Sequence, residues 1–373
     1  MCIRDSCDTG QVFNVGGNAF VLLVKVSDRL ALHERIDAIQ QAMTPVFELQ
    51  NFSLHINVQM GIAWYPEHDR SGTKLLEMAG AALHPAQLKG LPMLEYDDSM
   101  FRTTVERLEL INGLNNAIRE NELVLHYQPK LDIARGIVTE VEALVRWQHP
   151  QYGMVPPDKF ISLAEQTGFI HELTLWVLDT VLQQYRRWRD EESIVLPIAV
   201  NVSAESLRTP EFFDVVESAL ERNSLSADAI CLEVTESVVV DNPQAAIAIL
   251  DRFQHKGIRL AVDDYGTGYS SLAQLQQLPV NELKIDKAFV TNLTSRQADQ
   301  VIVKSTIEMA HALGLGVVAE GIEDAASLEW LQRHGCDTAQ GYFICRPVPA
   351  DELVEWLRQS HYHDRRPRLV NAE

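Results

Sequence analysis

A chain of 373 residues is long enough for two domains, or for one large barrel and a smaller piece. Its 46% apolar and 23% charged residues argue against wholesale disorder, and no apolar run approaches the roughly 18 residues of a membrane-spanning helix. Its formal charge of −20 has the wrong sign for non-specific contact with a DNA or RNA polymer.

Five cysteines (Cys2, Cys7, Cys231, Cys336 and Cys345) lack CxxC spacing. That argues for a reducing cytoplasm and against a disulfide scaffold or zinc site. No secretory signal is visible, and Met1–Ser6 fits no periodic element. A cytoplasmic location is expected, with no membrane contact within this chain and a membrane-attached parent left open.

In chain order, Gln11–Val15, Gly16-Gly17-Asn18 and Ala19–Val26 read as strand, tight turn and strand. Asp28–Thr44 has helical periodicity. Phe52–Tyr65 alternates like a strand pair and ends at Pro66. Thr73–Leu88 reads as a helix interrupted near Pro85. Residues 1–98 are therefore expected to form one partial α+β unit whose beginning is missing. A linker helix is expected over 99–121, with Leu108, Ile111, Leu114 and Ile118 at helical spacing.

From Glu122 short apolar runs alternate with helical stretches. The runs are Leu123–Tyr127, Val138–Val145, Ile198–Val202, Ala229–Val234, Arg259–Val262, Glu282–Ile285, Gly316–Ala319 and Thr338–Phe343. Between them lie Phe160–Gln166, Leu173–Trp188, Pro210–Asn223, Gln244–Lys256, Ser270–Gln277, Ala298–Leu313 and Ala325–His334. Eight strands alternating with helices over 122–359 predict an α/β fold, a (β/α)8 TIM-like barrel. An open doubly wound sheet is the runner-up, lowered by the absence of a GxGxxG turn. Residues 360–373 read as a polar tail.

Acidic and amide residues sit near the carboxyl ends of these runs: Glu142, Asn201, Glu233, Asp263, Asp264, Glu320 and Gln340. In a closed barrel those ends share one face, so residues distant in sequence should converge. Like charges about 4 Å apart repel by about 4 kcal/mol at an effective dielectric near 20, so cations must intervene or protons be taken up. The donors are all oxygen, which suits Mg²⁺, Mn²⁺ or Ca²⁺. Asp263-Asp264 could bridge two ions about 4 Å apart, as two-metal phosphoesterases require. Lys284 could position or deprotonate an attacking water, and Arg146 could grip a phosphate oxygen.

Each residue alone has a plainer reading. A glutamate after a strand is usually solvated, Asn201 could be a turn residue, and Lys284 a surface lysine. Arg146 could pair with Glu142, Glu236 and Glu323 could face outward, and Asp263-Asp264 could be an acidic turn. Seven polar residues at successive strand ends make the shared reading the stronger one.

Residues 122–350 resemble the EAL domain, the cyclic di-GMP phosphodiesterase family. The matching segments are Tyr127-Gln128-Pro129, Glu142–Trp147 (EALVRW), Phe160–Ile170, Asn201-Val202-Ser203, Leu232–Ser237, Asp263–Ser271 (DDYGTGYSS), Leu283–Asp286, Val318–Glu323 and Gln340-Gly341-Tyr342. The resemblance implies a barrel whose first strand is antiparallel and a site with two ions, Mg²⁺ or Mn²⁺. It implies Glu142, Asn201, Glu233 and Asp263 as ligands of one ion, and Asp263 and Asp264 as the attachment for the second. It also implies Lys284 beside the nucleophilic water and Glu320 linked to the ions directly or through water. Glu323 and Gln340 match supporting positions, and Arg146 and Gln128 substrate-contacting ones. Glu236 matches a glutamate that anchors the 263–271 loop and couples dimerisation to metal binding. Tyr265 replaces the usual Phe.

The first unit resembles the later part of a GGDEF domain, the diguanylate cyclase family. Its turn motif appears as Gly16-Gly17-Asn18-Ala19-Phe20, with Asn18 and Ala19 in place of the acidic pair, and Ile56–Pro66 supports the match. The inhibitory RxxD motif would fall on Cys7 and Gly10, which are not the required residues. A truncated, catalytically dead unit is implied.

The expected function is hydrolysis of cyclic di-GMP to linear 5′-pGpG by a homodimer formed through the barrel. The alternatives are a receptor that binds cyclic di-GMP without cleaving it, and another two-metal phosphoesterase of the barrel class.

Overall fold

The structure, a computed structural model, describes residues 10–17, 19–43, 47–49, 52–54, 57–209, 211–236, 243–266 and 275–362. The chain divides into two compact units, 1–108 and 109–373.

In the first unit β1 (Gly10–Gly16) and β2 (Ala19–Val24) form an antiparallel hairpin. The turn needs positive φ at Gly16 (120°) and Gly17 (55°), which glycine adopts without a Cβ penalty. Helix α1 (Arg29–Met43) follows. Next come β3 (Phe47–Leu49) and β4 (Phe52–Leu54), which are antiparallel, then β5 (Met60–Ile62), α2 (Gly72–Leu88) and β6 (Met93–Glu95). The expected strand pair within 52–65 does not form: β4 pairs back onto β3, and β5 pairs in parallel with β6. Helix α2 continues through Pro85 rather than breaking there. The proline stands near the helix end, where its missing N–H removes one backbone bond, and Ala82 and Ala86 are fully buried on one face. Gly61 is required by packing, because a Cβ there would meet the Ala79 carbonyl oxygen of α2 at 2.0 Å.

Helix α3 (Asp98–Ala117) contains the division between the units. In its second half Leu110, Leu114 and Ala117 are buried in the core of the second unit, with Ile111 and Ile118 packed against them. Leu108, expected on that stripe, is 56% exposed, because the buried residues follow 110, 114 and 117.

The second unit is a closed barrel. Its staves are β7 (Leu123–Asp132), β8 (Ile137–His149), β10 (Ile198–Val202), β11 (Ile230–Thr235), β12 (Arg259–Tyr265), β13 (Glu282–Ile285), β14 (Gly316–Ala319) and β15 (Thr338–Ala339). Each pairs with the next, and β15 returns to β7. Strand β7 runs antiparallel to both neighbours, and the other staves are parallel. Two short strands not expected from the sequence, β9 (Gly153–Val155) and β16 (Val348–Pro349), extend β8 and β7. The eighth stave spans two residues, not the whole of Thr338–Phe343.

The outer helices are α4 (Pro157–Thr167), α5 (Ile170–Glu191), α6 (Ala204–Arg208), α7 (Phe212–Arg222), α8 (Pro243–Lys256), α9 (Lys287–Val290), α10 (Gln297–Ala312), α11 (Ala325–Arg333) and α12 (Ala350–Gln359). The helix expected over 270–277 falls mostly outside the described residues, as do Cys2, Cys7, Asn18 and most of the 360–373 tail. Strand periodicity of two sorts the side chains. Ile198, Val200, Val202, Ile230, Leu232, Val234, Leu260 and Val262 join the main core around the barrel. Ala199, Cys231 and Ala261 form a separate small-residue cluster on the alternate face. Among the described residues no helix is long and apolar enough to cross a membrane.

Candidate active site at the barrel mouth

The alternation that buries aliphatic residues around the barrel turns the intervening positions inward. These include Glu142 in the middle of β8 and, toward the carboxyl ends of their strands, Asn201 of β10, Glu233 of β11, Asp263 of β12 and Lys284 of β13. Glu320 and Gln340 follow β14 and β15 directly. The Lys284 ammonium, 1% exposed, gathers them: its Nζ lies 2.6 Å from Glu233, 2.7 Å from Glu320, 3.1 Å from Asp263 and 3.7 Å from Glu142. Asn201 Nδ2 donates to Glu142 Oε1 at 2.7 Å, and Gln340 Nε2 donates to Glu142 Oε2 at 2.5 Å. Gln340 Nε2 also donates to Gln128 Oε1 at 2.9 Å, while Gln128 Nε2 donates to the Cys345 carbonyl.

Asp264 would face away from Asp263 in a regular strand. Instead β12 shifts register against β13 between Val262 and Tyr265, and Asp264 adopts φ 54°. Such a bulge re-aims a side chain, and oxygens of Asp263, Asp264 and Glu320 come within 4.8 Å of one another. Glu236 caps the start of the next loop. Its backbone N–H donates to the Asp263 carbonyl, and its Oε2 accepts from the Gly266 N–H at 3.3 Å. The rest of that loop, 267–271, lies outside the described residues. Arg146 is half-buried, and its Nη1 donates to the Val145 carbonyl. Glu323 is exposed, and among the described residues no hydrogen bond or ion pair ties it to the cluster.

Crowded carboxylates are handled in both of the ways that electrostatics allows. Burial raises the Glu320 carboxyl to about 8, and the Asp263 and Glu142 charges reinforce this against Lys284. Partial desolvation, then the charges of Asp263 and Asp286, push Asp264 up to about 6. Burial also raises Glu142. Burial opposes the Glu233 charge too, but two ammonium groups outweigh it and hold that carboxyl at about 2. Burial likewise opposes the Lys284 charge, and its surrounding carboxylates keep it well above the usual lysine value.

The second ammonium is Lys130, which sequence reasoning passed over. It is 1% exposed, with Nζ 2.5 Å from Glu233 Oε1 and 2.6 Å from Glu140 Oε1. Arg259 pairs with Glu140 and, at 3.0 Å, with Glu282. A signal existed: Gln128 and Lys130 lie two apart in β7, opposite Glu142 and Glu140 in the β8 register. Both pairs therefore share the inward face.

The oxygen-only donors fit divalent ions of the Mg²⁺ or Mn²⁺ class. Glu142, Glu233, Asp263 and Glu320 already gather around one cation, the Lys284 ammonium, Asn201 bonds to Glu142, and Asp263, Asp264 and Glu320 cluster closely enough to share an ion.

Comparisons with known proteins give the chain's family and related folds. The EAL domain model matches residues 111–347, and the model "Diguanylate cyclase, GGDEF domain" matches residues 2–91. The bifunctional diguanylate cyclase/cyclic di-GMP phosphodiesterase MucR of Pseudomonas aeruginosa is 36% identical over 344 residues, 92% of this chain and 50% of that protein. The cyclic di-GMP phosphodiesterase PdeR of Escherichia coli is 34% identical over 92% of this chain and 52% of its own length. The chain thus spans about half the length of these curated relatives. Among solved structures, the MucR phosphodiesterase in complex with cyclic di-GMP superposes with a TM-score of 0.63 at 42% identity, covering 66% of this chain and 99% of that one. The EAL domain of Mycobacterium smegmatis DcpA gives a TM-score of 0.55 at 36% identity, covering 64% of this chain and 96% of that one.

Proposed function

Because the chain belongs to the EAL domain family, we propose that it is a metal-dependent phosphodiesterase that hydrolyses cyclic di-GMP to linear 5′-pGpG. The observation that carries the reading is the convergence on Lys284 of four carboxylates from four different strand ends, with Asn201 and Gln340 bonded to one of them.

In this reading Glu142, Asn201, Glu233 and Asp263 hold one ion, and Asp263 and Asp264, with Glu320, hold the other. Mg²⁺ or Mn²⁺ bound there would supply charge neutralisation at the phosphate and a nucleophile at neutral pH. Lys284 stays an ammonium among its carboxylates, so it serves as a donor that orients the attacking water rather than as the base. Water adds to phosphorus, the bond from phosphorus to the 3′ oxygen breaks, and the 3′ oxygen takes up a proton. The phosphate remains on the 5′ side, which yields 5′-pGpG. Arg146 offers a guanidinium to a phosphate oxygen, Gln128 is the second substrate-contacting side chain, and Gln340, which donates to both Glu142 and Gln128, fixes the Glu142 carboxylate. Glu323, exposed, is assigned a supporting role at the same site. Glu236 steadies the start of the loop through which the barrels of a homodimer would communicate. The proposed compartment is the cytoplasm.

The first unit is catalytically silent in this reading, since Ala19 and Asn18 stand where acidic residues would be needed for cyclase chemistry.

Incubation with cyclic di-GMP and Mg²⁺ or Mn²⁺ should yield 5′-pGpG. Tight binding without product would make the protein a receptor, and equal cleavage of generic diesters would make it a broader phosphoesterase.

A further inference from the structure

The charged residues do not stop at the mouth. An alternating series runs down the barrel interior, from Lys284 to Glu233, Lys130, Glu140, Arg259 and Glu282. Glu233 stands at the junction, with each of its carboxylate oxygens on a different ammonium. Oε2 meets Lys284 on the side of the mouth, and Oε1 meets Lys130 on the side of the barrel interior. Among the described residues the ion pairs of Lys130 are with Glu140 and Glu233. Ala199, Cys231 and Ala261, small residues on adjacent strands, cluster on the same inward-facing side of the barrel strands.

We propose that Lys130 is a positioning residue that occupies Glu233 Oε1 from within the barrel, leaving Oε2 as the single oxygen presented to a divalent ion at the mouth. The inference rests on the metal-dependent reading above. Both oxygens of an unrestrained glutamate can turn toward a cation. Here one is fixed by a fully buried ammonium that is itself pinned by Glu140, so the direction of the ligand is set before any ion arrives. Glu140, Arg259 and Glu282 anchor that ammonium rather than form a second metal site, because two cations already satisfy Glu140.

Mn²⁺ titration of the whole chain by calorimetry, without substrate, tests this. Lys130→Met should weaken Mn²⁺ binding by roughly 10- to 100-fold, the range seen when a group orienting a metal ligand is lost. If Lys130→Met does not fold, Lys130→Met/Glu140→Met keeps the net charge, replaces the buried pair by apolar groups of similar volume, and should show the same weakening. Glu140→Gln, which leaves Lys130 on Glu233, should bind Mn²⁺ within a few-fold of the unaltered chain. A folded Lys130→Met or double variant with unchanged Mn²⁺ affinity would overturn the proposal and leave Lys130 a structural ion pair. Failure of the unaltered chain to bind Mn²⁺ would instead bring down the metal-dependent reading together with this one.

Discussion

Glu142 shows how little of this site a single residue can do alone. Its carboxylate accepts from Asn201 and Gln340 and faces Lys284 at 3.7 Å, so three other strand ends decide where its oxygens point. Glu142→Ala and Lys284→Ala should therefore each lower the rate of cyclic di-GMP hydrolysis by on the order of 10²-fold or more. Their circular dichroism should match the unaltered chain, since the aliphatic core around the barrel is untouched. A rate within a few-fold of the original in either variant would remove that residue from the mechanism. Proton uptake gives a second test. Burial holds the Glu320 carboxyl at about 8 without metal, so below that pH a proton competes with a cation for its oxygens. Mn²⁺ affinity, measured by titration, should rise from pH 6 to about 8 and flatten above it. An affinity that falls over this interval would contradict a ligand role for Glu320.

At the scale of elements, the irregular segments after β14 and after β15 meet at Gly341. A Cβ there would come within 2.2 Å of the Ile322 backbone, and the Ile322 N–H donates to the Gln340 carbonyl. Gly341→Ala should cost about 1–3 kcal/mol of stability in denaturant titration and displace Gln340 from Glu142. Unchanged stability would show that the two segments can part freely. The staves themselves were legible because period-two alternation and polar strand ends recur through 122–343, and one-dimensional pattern suffices to say which residues share a face. What pattern could not supply was three-dimensional satisfaction. Lys130 reads as one more charged residue until the β7–β8 register sets it opposite Glu140. Asp264 required a bulge to reach the site. Leu108 and Pro85 were misread because helical spacing alone does not say where a helix meets its partner or how much one missing N–H costs so near a helix end. The antiparallel direction of β7 came only through family resemblance, since strand direction leaves no trace in alternation.

For the molecule as a whole, the proposed function asks a chain of net charge −20 to attract a ligand carrying two phosphates. Lys284 is already neutralised by its carboxylates, and Arg146 is a modest counterweight, so in the proposed reading bound cations reverse the local sign at the mouth. Replacing Mg²⁺ by Ca²⁺ should preserve cyclic di-GMP binding in a titration while suppressing product formation. Robust turnover in Ca²⁺ would show that the ions do no more than offset charge. The proposed chemistry depends throughout on the converging oxygens holding a pair of divalent ions. The most direct measurement is anomalous X-ray scattering from crystals grown with Mn²⁺. Two peaks roughly 4 Å apart are expected, enclosed by Glu142, Asn201, Glu233, Asp263, Asp264 and Glu320. A barrel mouth with no manganese peak, in crystals whose solution contains the ion at millimolar concentration, would contradict it.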